Sequence, residues 1–209
     1  MESVTKTHSS MASPAKKRLM TFNDEHWSTL YGRAIENDPG LQDILSPSLF
    51  EFTRNFASSR MTTDGMILPT VLTTINFVLA ANEVRVQTNA NFKQNLNTYF
   101  LVVGQPFTGK IPAVTCAARE PIAELAYSKN IFSDTTYAGL TQHLSDDGRF
   151  YLVNSEISGY FNRIFDTRST SNDVELLCDL YSGAMKNHGF AQIQSRIIKP
   201  HAPFCILGK

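Results

Sequence analysis

The feature that most constrains the fold is an apolar run that ends abruptly in glycine. Residues 98–103 read TYFLVV, a β-branched and aromatic run that is typical of a buried strand. Gly104 follows directly, and helical spacing begins near Pro112. Residues 104–110 therefore predict a strand-to-helix connection, because the glycine at each end allows backbone angles that other residues avoid.

Two later runs have the same texture. Residues 150–153 (FYLV) and 204–207 (FCIL) also read as buried strands. Helical spacing fills the intervals, at residues 112–129, 137–144 and 174–181. Strands that alternate with helices are typical of a parallel sheet covered by helices. The sequence therefore predicts an α/β fold, with a parallel sheet flanked by helices and preceded by an α-helical lead-in.

The N-terminal part of the chain has a different composition and a different hydrophobic pattern. Its first residues are rich in Ser, Thr, Lys and Pro without periodic apolar positions, which predicts disorder. Apolar residues then recur at helical spacing from Trp27 to Ala34, and Ser46 followed by Pro47 marks the start of a second helix. A third helix is predicted at residues 68–82. The predicted divisions are a disordered leader at residues 1–20, a helical lead-in at 21–97 and the α/β core at 98–209.

The composition limits which partners and which cellular location we expect for this chain. The 19 basic residues equal the 19 acidic ones, so no overall field attracts nucleic acid or anionic lipid. The three cysteines are far apart and form no CxxC pair, so we interpret them as reduced core thiols. The sequence shows no signal-peptide pattern and no run of about 18 apolar residues, which predicts an intracellular protein without a membrane partner. A basic cluster at residues 16–18 leaves both a cytoplasmic and a nuclear location open.

The connection after the first strand matches a motif with a physical mechanism. Residues 104–110 satisfy the pattern G-x-x-x-x-G-K. In such a loop, backbone N–H groups and the positive end of the following helix hold phosphate oxygens, and the lysine reaches the β and γ phosphates. The alternative is an ordinary turn with an exposed lysine. The predicted nucleotide-contacting residues are Gly104, Gln105, Pro106, Phe107, Thr108, Gly109, Lys110 and Ile111.

The two residues after the lysine differ from those that a metal-dependent enzyme places there. A hydrolytic loop places Ser or Thr directly after the lysine as a ligand of Mg²⁺, whereas this chain has Ile111. Pro112 lacks an N–H group, so one donor toward the phosphates is also lost, although proline is tolerated in a first helical turn. We therefore expect the fold to persist while Mg²⁺ binding is impaired.

The second predicted strand leads into a candidate acid. Residues 150–153 are followed by Asn154, Ser155 and Glu156. ATPases of this type use one carboxylate to hold the metal shell and a further residue to orient the attacking water. Glu156 is the candidate catalytic residue, and Ser155 occupies the metal position with a hydroxyl in place of a carboxylate. The alternative is that Glu156 caps a helix or lies on the surface.

Taken together, the motifs resemble an uncharacterised family of P-loop ATPase-like domains, a domain of unknown function found with primase and helicase modules of phages, plasmids and mobile elements. The resemblance spans about residues 45–207 and includes the order and spacing of the motifs. Its carriers are the helical lead-in, residues 101–110, residues 133–140 (SDTTYAGL), Asn154-Ser155-Glu156, residues 175–183 (ELLCDLYSG) and the closing strand at residues 204–208.

The resemblance implies an ATP-binding, helicase-like or primase-associated core, with nucleic acid as a partner and with oligomers allowed. It implies Lys110 as the phosphate lysine and Glu156 as the catalytic acid. Family members continue beyond the last strand, so it also implies a C-terminal truncation at Lys209. Three functions stay open: ATP binding with weak or absent hydrolysis, a non-enzymatic interaction module, and an active ATPase motor in which the Mg²⁺ ligands come from Asn154, Ser155 or Thr108.

Overall fold

The computed structural model describes Thr29, Gly32 and residues 40–89, 92–105, 107–165, 173–184, 186–190 and 193–209. The predicted leader with its basic cluster, the helix predicted around Trp27, and Pro106 of the glycine loop lie outside the described residues. The chain divides into two compact units, Met1–Leu45 and Ser46–Lys209. The first unit contains the short helix α1, Leu41–Ile44.

Two helices open the second unit, α2 (Pro47–Ser59) and α3 (Asp64–Ala81). The predicted start of α2 is confirmed, because the Ser46 hydroxyl accepts the Leu49 N–H group at 3.4 Å and Pro47 takes the first helical position. The predicted third helix is also present, but it begins four residues earlier than expected, at Asp64 instead of residue 68. Pro69 therefore lies inside α3 and does not begin it.

The remaining elements build a sheet, two hairpins and their covering helices. The strands are β1 (Val86–Asn89), β2 (Phe92–Gln94), β3 (Tyr99–Leu101), β4 (Ile131–Phe132), β5 (Phe150–Asn154), β6 (Lys186–Phe190), β7 (Ile193–Ile198) and β8 (Phe204–Gly208). The helices are α4 (Lys110–Val114), α5 (Glu120–Glu124), α6 (Tyr137–Asp146), α7 (Ile157–Ile164) and α8 (Asp173–Ser182). A π-helical segment, Thr115–Arg119, joins α4 to α5, and a 3₁₀ turn, Ser128–Asn130, precedes β4.

The main sheet has four parallel strands in the order β3-β8-β5-β4. The predicted parallel sheet flanked by helices is therefore confirmed. Two antiparallel hairpins, β1-β2 and β6-β7, were not predicted, and neither were β4 and α7. The first strand of each hairpin is too polar to stand out as an apolar run, and β4 has only two residues.

Strand β5 is the centre of the core. Phe150, Tyr151, Leu152 and Val153 are all 0% exposed, since β5 lies between β8 and β4 with helices on both faces. Phe150 and Leu152 pack into one cluster with residues of α6, α7 and α8. Tyr151 and Val153 point to the other face, where α3 and the helical run from α4 to α5 pack. Burial on both faces explains why the run is continuously apolar.

Helix α3 is long and apolar enough, by length and composition, to cross a membrane. A core helix of a soluble protein passes the same test, so one such helix is a weak indication. In this structure Ile67 and Phe77 of α3 are 0% exposed. Phe77 packs on Tyr151 of the sheet and Ile67 packs on Ala113 and Ala117 of the adjoining helices.

The cysteines differ in exposure. Cys205 of β8 is completely buried, and burial raises the pKa of its thiol to about 11, so it remains protonated at neutral pH. Cys178 of α8 is exposed, so its interpretation as a core thiol was wrong. The reason is that Cys178 lies next to Leu177 on a helix whose buried face is made by Leu176 and Leu180.

The buried residue Thr74 connects α3 to the π-helical segment that packs against it. Pro121 has no N–H group, so it cannot donate to the carbonyl of Ala117 one turn earlier. The Thr74 hydroxyl donates to this carbonyl at 2.7 Å and lies 3.2 Å from the Tyr151 hydroxyl. Thr74 therefore connects α3, the π-helical segment and β5 in a region without access to water.

We expect Thr74→Val to lower the free energy of unfolding by about 1–3 kcal/mol, because it leaves buried polar groups of Ala117 and Tyr151 without this partner. Thr73→Val is the matched control: Thr73 is 0% exposed, and its hydroxyl bonds only the Pro69 carbonyl of its own helix. The control should change stability by less than about 0.5 kcal/mol. Urea unfolding of the two variants measures the difference, and equal values would contradict the assigned role of Thr74.

Candidate phosphate-binding site

The predicted loop and the predicted acid leave the same edge of the sheet. In the strand register, Leu101 of β3 pairs with Gly208 of β8, and Gly208 pairs with Asn154 of β5. The glycine loop begins after β3, and Ser155 and Glu156 follow β5. One strand separates them, which corresponds to about 10 Å between β3 and β5. Open α/β sheets bind their ligands outside this carboxyl edge.

Gly109 sets the shape of the loop. Its φ of 82° is left-handed, and it forms the N-cap of α4. A Cβ atom at this position would lie 2.6 Å from the Met61 carbonyl oxygen and 2.8 Å from the Thr62 Cα atom. Both the backbone angle and the close approach therefore require glycine. Met61 and Thr62 connect α2 to α3, so the helical lead-in packs directly against the loop.

The Lys110 side chain folds into the loop. Its Nζ atom donates to the Gly104 carbonyl oxygen and to the Gln105 carbonyl oxygen, the latter at 2.9 Å. The Thr108 hydroxyl also donates to the Gln105 carbonyl, at 2.8 Å. Lys110 is the first residue of α4, where backbone N–H groups have no partner one turn earlier. A positive charge and unpaired donors thus meet at the start of a helix, an arrangement that suits an anion.

Two loop side chains point into solvent. Phe107 is fully exposed with a φ of 65°, and Ile111 is 64% exposed. The helix tolerates Pro112 because this residue lies in the first turn, and the next N–H group, of Ala113, donates to the Gly109 carbonyl at 3.1 Å.

The turn after β5 is held by Asn154. This residue is 7% exposed, and its side-chain oxygen accepts the Glu156 N–H group at 2.6 Å. Glu156 takes the N-cap position of α7, yet within the described residues its side chain makes no capping hydrogen bond. The side chains of Ser155 and Glu156 are both exposed at the carboxyl edge. Both parts of the alternative for Glu156 apply in some measure: the residue takes the N-cap position without a side-chain hydrogen bond, and its side chain lies on the surface.

The side chains at this edge offer few ligands for a metal ion. Within the part of the chain that the structure describes, no three His, Cys, Asp or Glu residues are grouped to hold an ion. Mg²⁺ requires oxygen ligands in octahedral geometry, usually with one or two carboxylates. With Ile111 and Ser155 at the two expected ligand positions, Glu156 is the carboxylate that remains at this turn. The donor set therefore fits a phosphate better than it fits Mg²⁺.

Lys209 and Arg119 also lie near this edge, and sequence reasoning missed both. Lys209 follows β8, between the loop and the acid turn, where its N–H group donates to the Asn154 carbonyl at 3.2 Å. Arg119 donates to the Val153 carbonyl at 2.8 Å and to the Ser133 hydroxyl at 2.9 Å. The pattern of apolar runs indicates a strand before Lys209 but not its place between β3 and β5. For Arg119 the sequence carries no signal.

A cavity of about 200 Å³ opens at the edge of the sheet opposite the glycine loop. Arg85, Arg149 and Lys199 line it together with Glu83, Asp146 and Asp147. The helices α3 and α6 end there, and helix C-termini attract cations. Side chains of both charges line this cavity, and it lies at the amino edge of the sheet, so we do not assign it as the nucleotide site.

Comparisons with protein-family models, curated proteins and solved structures found no match to this chain. The protein class therefore rests on the fold itself, an α/β protein with an all-parallel sheet flanked by helices.

We expect Gly109→Ala to lower the free energy of unfolding by more than about 2 kcal/mol, since it adds left-handed strain to a clash with backbone atoms. Gly159→Ala is the matched control, because Gly159 lies inside α7 with nothing within 4 Å of an added Cβ atom. The control should gain about 0.5–1 kcal/mol from helix propensity. Thermal unfolding monitored by circular dichroism measures both, and a tolerated Gly109→Ala would contradict the loop geometry.

Proposed function

We propose that this chain binds the phosphates of a nucleoside triphosphate, in the first place ATP, through residues 104–110, with weak or absent hydrolysis. The observation that carries the proposal is the Lys110 ammonium group, which lies within a glycine-closed loop at the start of a helix and at the carboxyl edge of the sheet. The same edge is where parallel sheets of this class bind ligands.

Phosphate binding requires the Lys110 ammonium group to exchange its present hydrogen-bond acceptors for phosphate oxygens. In the described structure Lys110 donates to two neutral carbonyl groups, of Gly104 and Gln105. A phosphate oxygen carries negative charge, and charge-assisted hydrogen bonds are roughly twice as strong as neutral ones. The loop can therefore release the lysine to a phosphate, while the backbone N–H groups of Lys110 and Ile111 in the first helical turn bind the remaining oxygens.

The same residues argue against efficient hydrolysis. Ile111 and Ser155 stand at the positions expected to ligate Mg²⁺, and neither contributes a charged oxygen. Glu156 could still orient a water molecule toward the terminal phosphate, because its carboxylate is exposed at the same edge. Without a well-held metal ion, the developing charge on the phosphate lacks its main stabilising partner.

An active ATPase motor is the first alternative. It needs Thr108, Asn154 or Ser155 to replace the missing ligands. The Thr108 hydroxyl donates to the Gln105 carbonyl, and the Asn154 side-chain oxygen accepts the Glu156 N–H group. Each of these oxygens keeps a lone pair that could bind a metal ion, but each is a neutral ligand, whereas Mg²⁺ sites usually include one or two carboxylates. The second alternative, a non-enzymatic interaction module, is supported by the exposed side chains of Phe107 and Ile111 around the loop.

A helicase- or primase-associated role, with nucleic acid as a partner and an intracellular location, belongs to the same proposal. It rests on the family resemblance and on the sequence pattern. Electroneutrality of the chain means that contact with nucleic acid would need a local basic patch and would not arise from an overall field.

We expect Lys110→Ala to weaken ATP binding by about 10–100-fold, the equivalent of one charged hydrogen-bonding partner. Lys199→Ala, a lysine of the opposite cavity, is the control and should leave the affinity unchanged. Isothermal titration with ATP, with and without Mg²⁺, gives the affinities, and phosphate release is measured in parallel. Binding that is equally tight in Lys110→Ala removes the phosphate-loop proposal, whereas Lys110-dependent binding with rapid phosphate release supports the motor.

We also expect the double variant Ile111→Thr with Ser155→Asp to make ATP binding depend on Mg²⁺, because it adds a hydroxyl and a carboxylate at the two expected ligand positions. Each single variant should have a smaller effect. The measurement is the ratio of ATP affinities with and without Mg²⁺. A ratio unchanged from that of the natural chain would contradict our explanation of the missing metal chemistry.

A further inference from the structure

Strand β3 is an edge strand of the main sheet. Among the described strands it pairs with β8 alone. The Thr98 carbonyl accepts the Ile206 N–H group at 2.9 Å, and the Val102 N–H group donates to the Gly208 carbonyl at 2.8 Å. Successive residues of a strand direct their backbone groups to opposite sides. The N–H and carbonyl groups of Leu101 therefore face the open edge of the sheet.

An apolar groove of about 530 Å³ runs beside this edge, between β3 and the helices α7 and α8. Among the described residues that line it, none is charged. The hydroxyl of Tyr99 lies in the groove wall but already donates to the Leu177 carbonyl at 2.7 Å. A charged partner would lose its hydration here without gaining an ion pair, so the lining favours an apolar partner.

The edge carries no side chain of the kind that usually prevents pairing. Edge strands of monomeric proteins are commonly very short or carry lysine, proline or a bulge that prevents another strand from adding, and β3 has only the first of these, with three residues. Residues 98–103 (TYFLVV) contain neither lysine nor proline. Leu101 is 51% exposed, Val103 is 80% exposed, and Phe165 and Tyr181 in the groove wall are 61% and 52% exposed. The result is an open backbone edge beside an apolar surface.

We propose that a second copy of this chain pairs its β3 with this β3 in antiparallel orientation, so that two four-stranded sheets form one continuous sheet. A two-fold axis perpendicular to the sheet keeps the groove of each copy on the same face, next to the groove of its partner. An uncharged surface is complementary to itself without any matching of charges. The second copy also brings a free strand edge and apolar side chains of the kind that this edge leaves uncovered.

The exposed apolar area at the edge and in the groove determines how strongly the two copies should associate. Aromatic side chains bury roughly 150–250 Å² each, so the half-exposed side chains at the edge and in the groove leave on the order of 500 Å² per copy for contact. The pair would bury roughly 1,000 Å², which is at the lower limit of specific interfaces. The dimer should therefore dissociate in a concentration range accessible to solution measurements. It is independent of Lys110 and of nucleotide.

Sedimentation velocity of the full chain from about 1 to 100 µM tests the proposal, with an expected change from monomer to dimer. Leu101→Pro removes the N–H group that faces the open edge and leaves the hydrogen bonds to β8 in place. Tyr181→Asp instead introduces a charge into the groove wall. Each should raise the dimer dissociation constant at least tenfold. Leu125→Asp, at a residue of similar exposure (52%) remote from the groove, is the control and should not change it.

Circular dichroism and thermal unfolding show whether each variant is folded, and a variant that unfolds is replaced by Val174→Asp in the same groove. Loss of dimer in folded groove variants, but not in Leu125→Asp, supports the proposal. A natural chain that stays monomeric at 100 µM overturns it. A dimer that persists in both groove variants also overturns it, since that dimer would use another surface.

Discussion

The fold depends on burial of β5 between two helical layers. Its side chains alternate between the cluster under α6, α7 and α8 and the cluster under α3 and the helical run that follows the loop. Because every side chain of this strand is enclosed, its position fixes both neighbours in the sheet and both helical layers. The candidate site is a consequence of this arrangement, since the loop and the acid turn are the connections that leave the carboxyl edge of the strands.

The helical lead-in is part of the site as well as of the core. The turn between α2 and α3 presses the Met61 carbonyl against Gly109 and places Thr62 beside it. Further along α3, the Thr74 hydroxyl donates to the Ala117 carbonyl and lies close to the Tyr151 hydroxyl. The helical run that begins at the lysine is therefore held at two points, by the α2–α3 turn at Gly109 and by Thr74 of α3 at Ala117. The loop conformation is a tertiary property, and residues 104–110 alone would not determine it.

The parts of the fold that could be predicted are those with a strong local signal. Continuous apolar runs indicated three strands, and Ser46-Pro47 indicated the start of α2. Strand β4 was not visible because two residues give no periodicity, and α7 was missed although Ile157, Tyr160 and Ile164 follow helical spacing. Strand order was out of reach, because a buried run does not show which strands adjoin it. That is why Lys209, which follows the interior strand β8, was overlooked.

The loop conformation does not depend on the residues at the two expected Mg²⁺-ligand positions. In the described structure its polar groups bond one another: Lys110 and Thr108 donate to carbonyls of the loop itself. Ile111 is 64% exposed, so its identity has little effect on packing. Residues that shape the loop, above all Gly109, are under steric constraint, whereas Ile111 and Ser155 are not. The identity of the residues at positions 111 and 155 thus matters little to the fold, whereas replacement of Gly109 would disturb the loop in which we propose that phosphate binds.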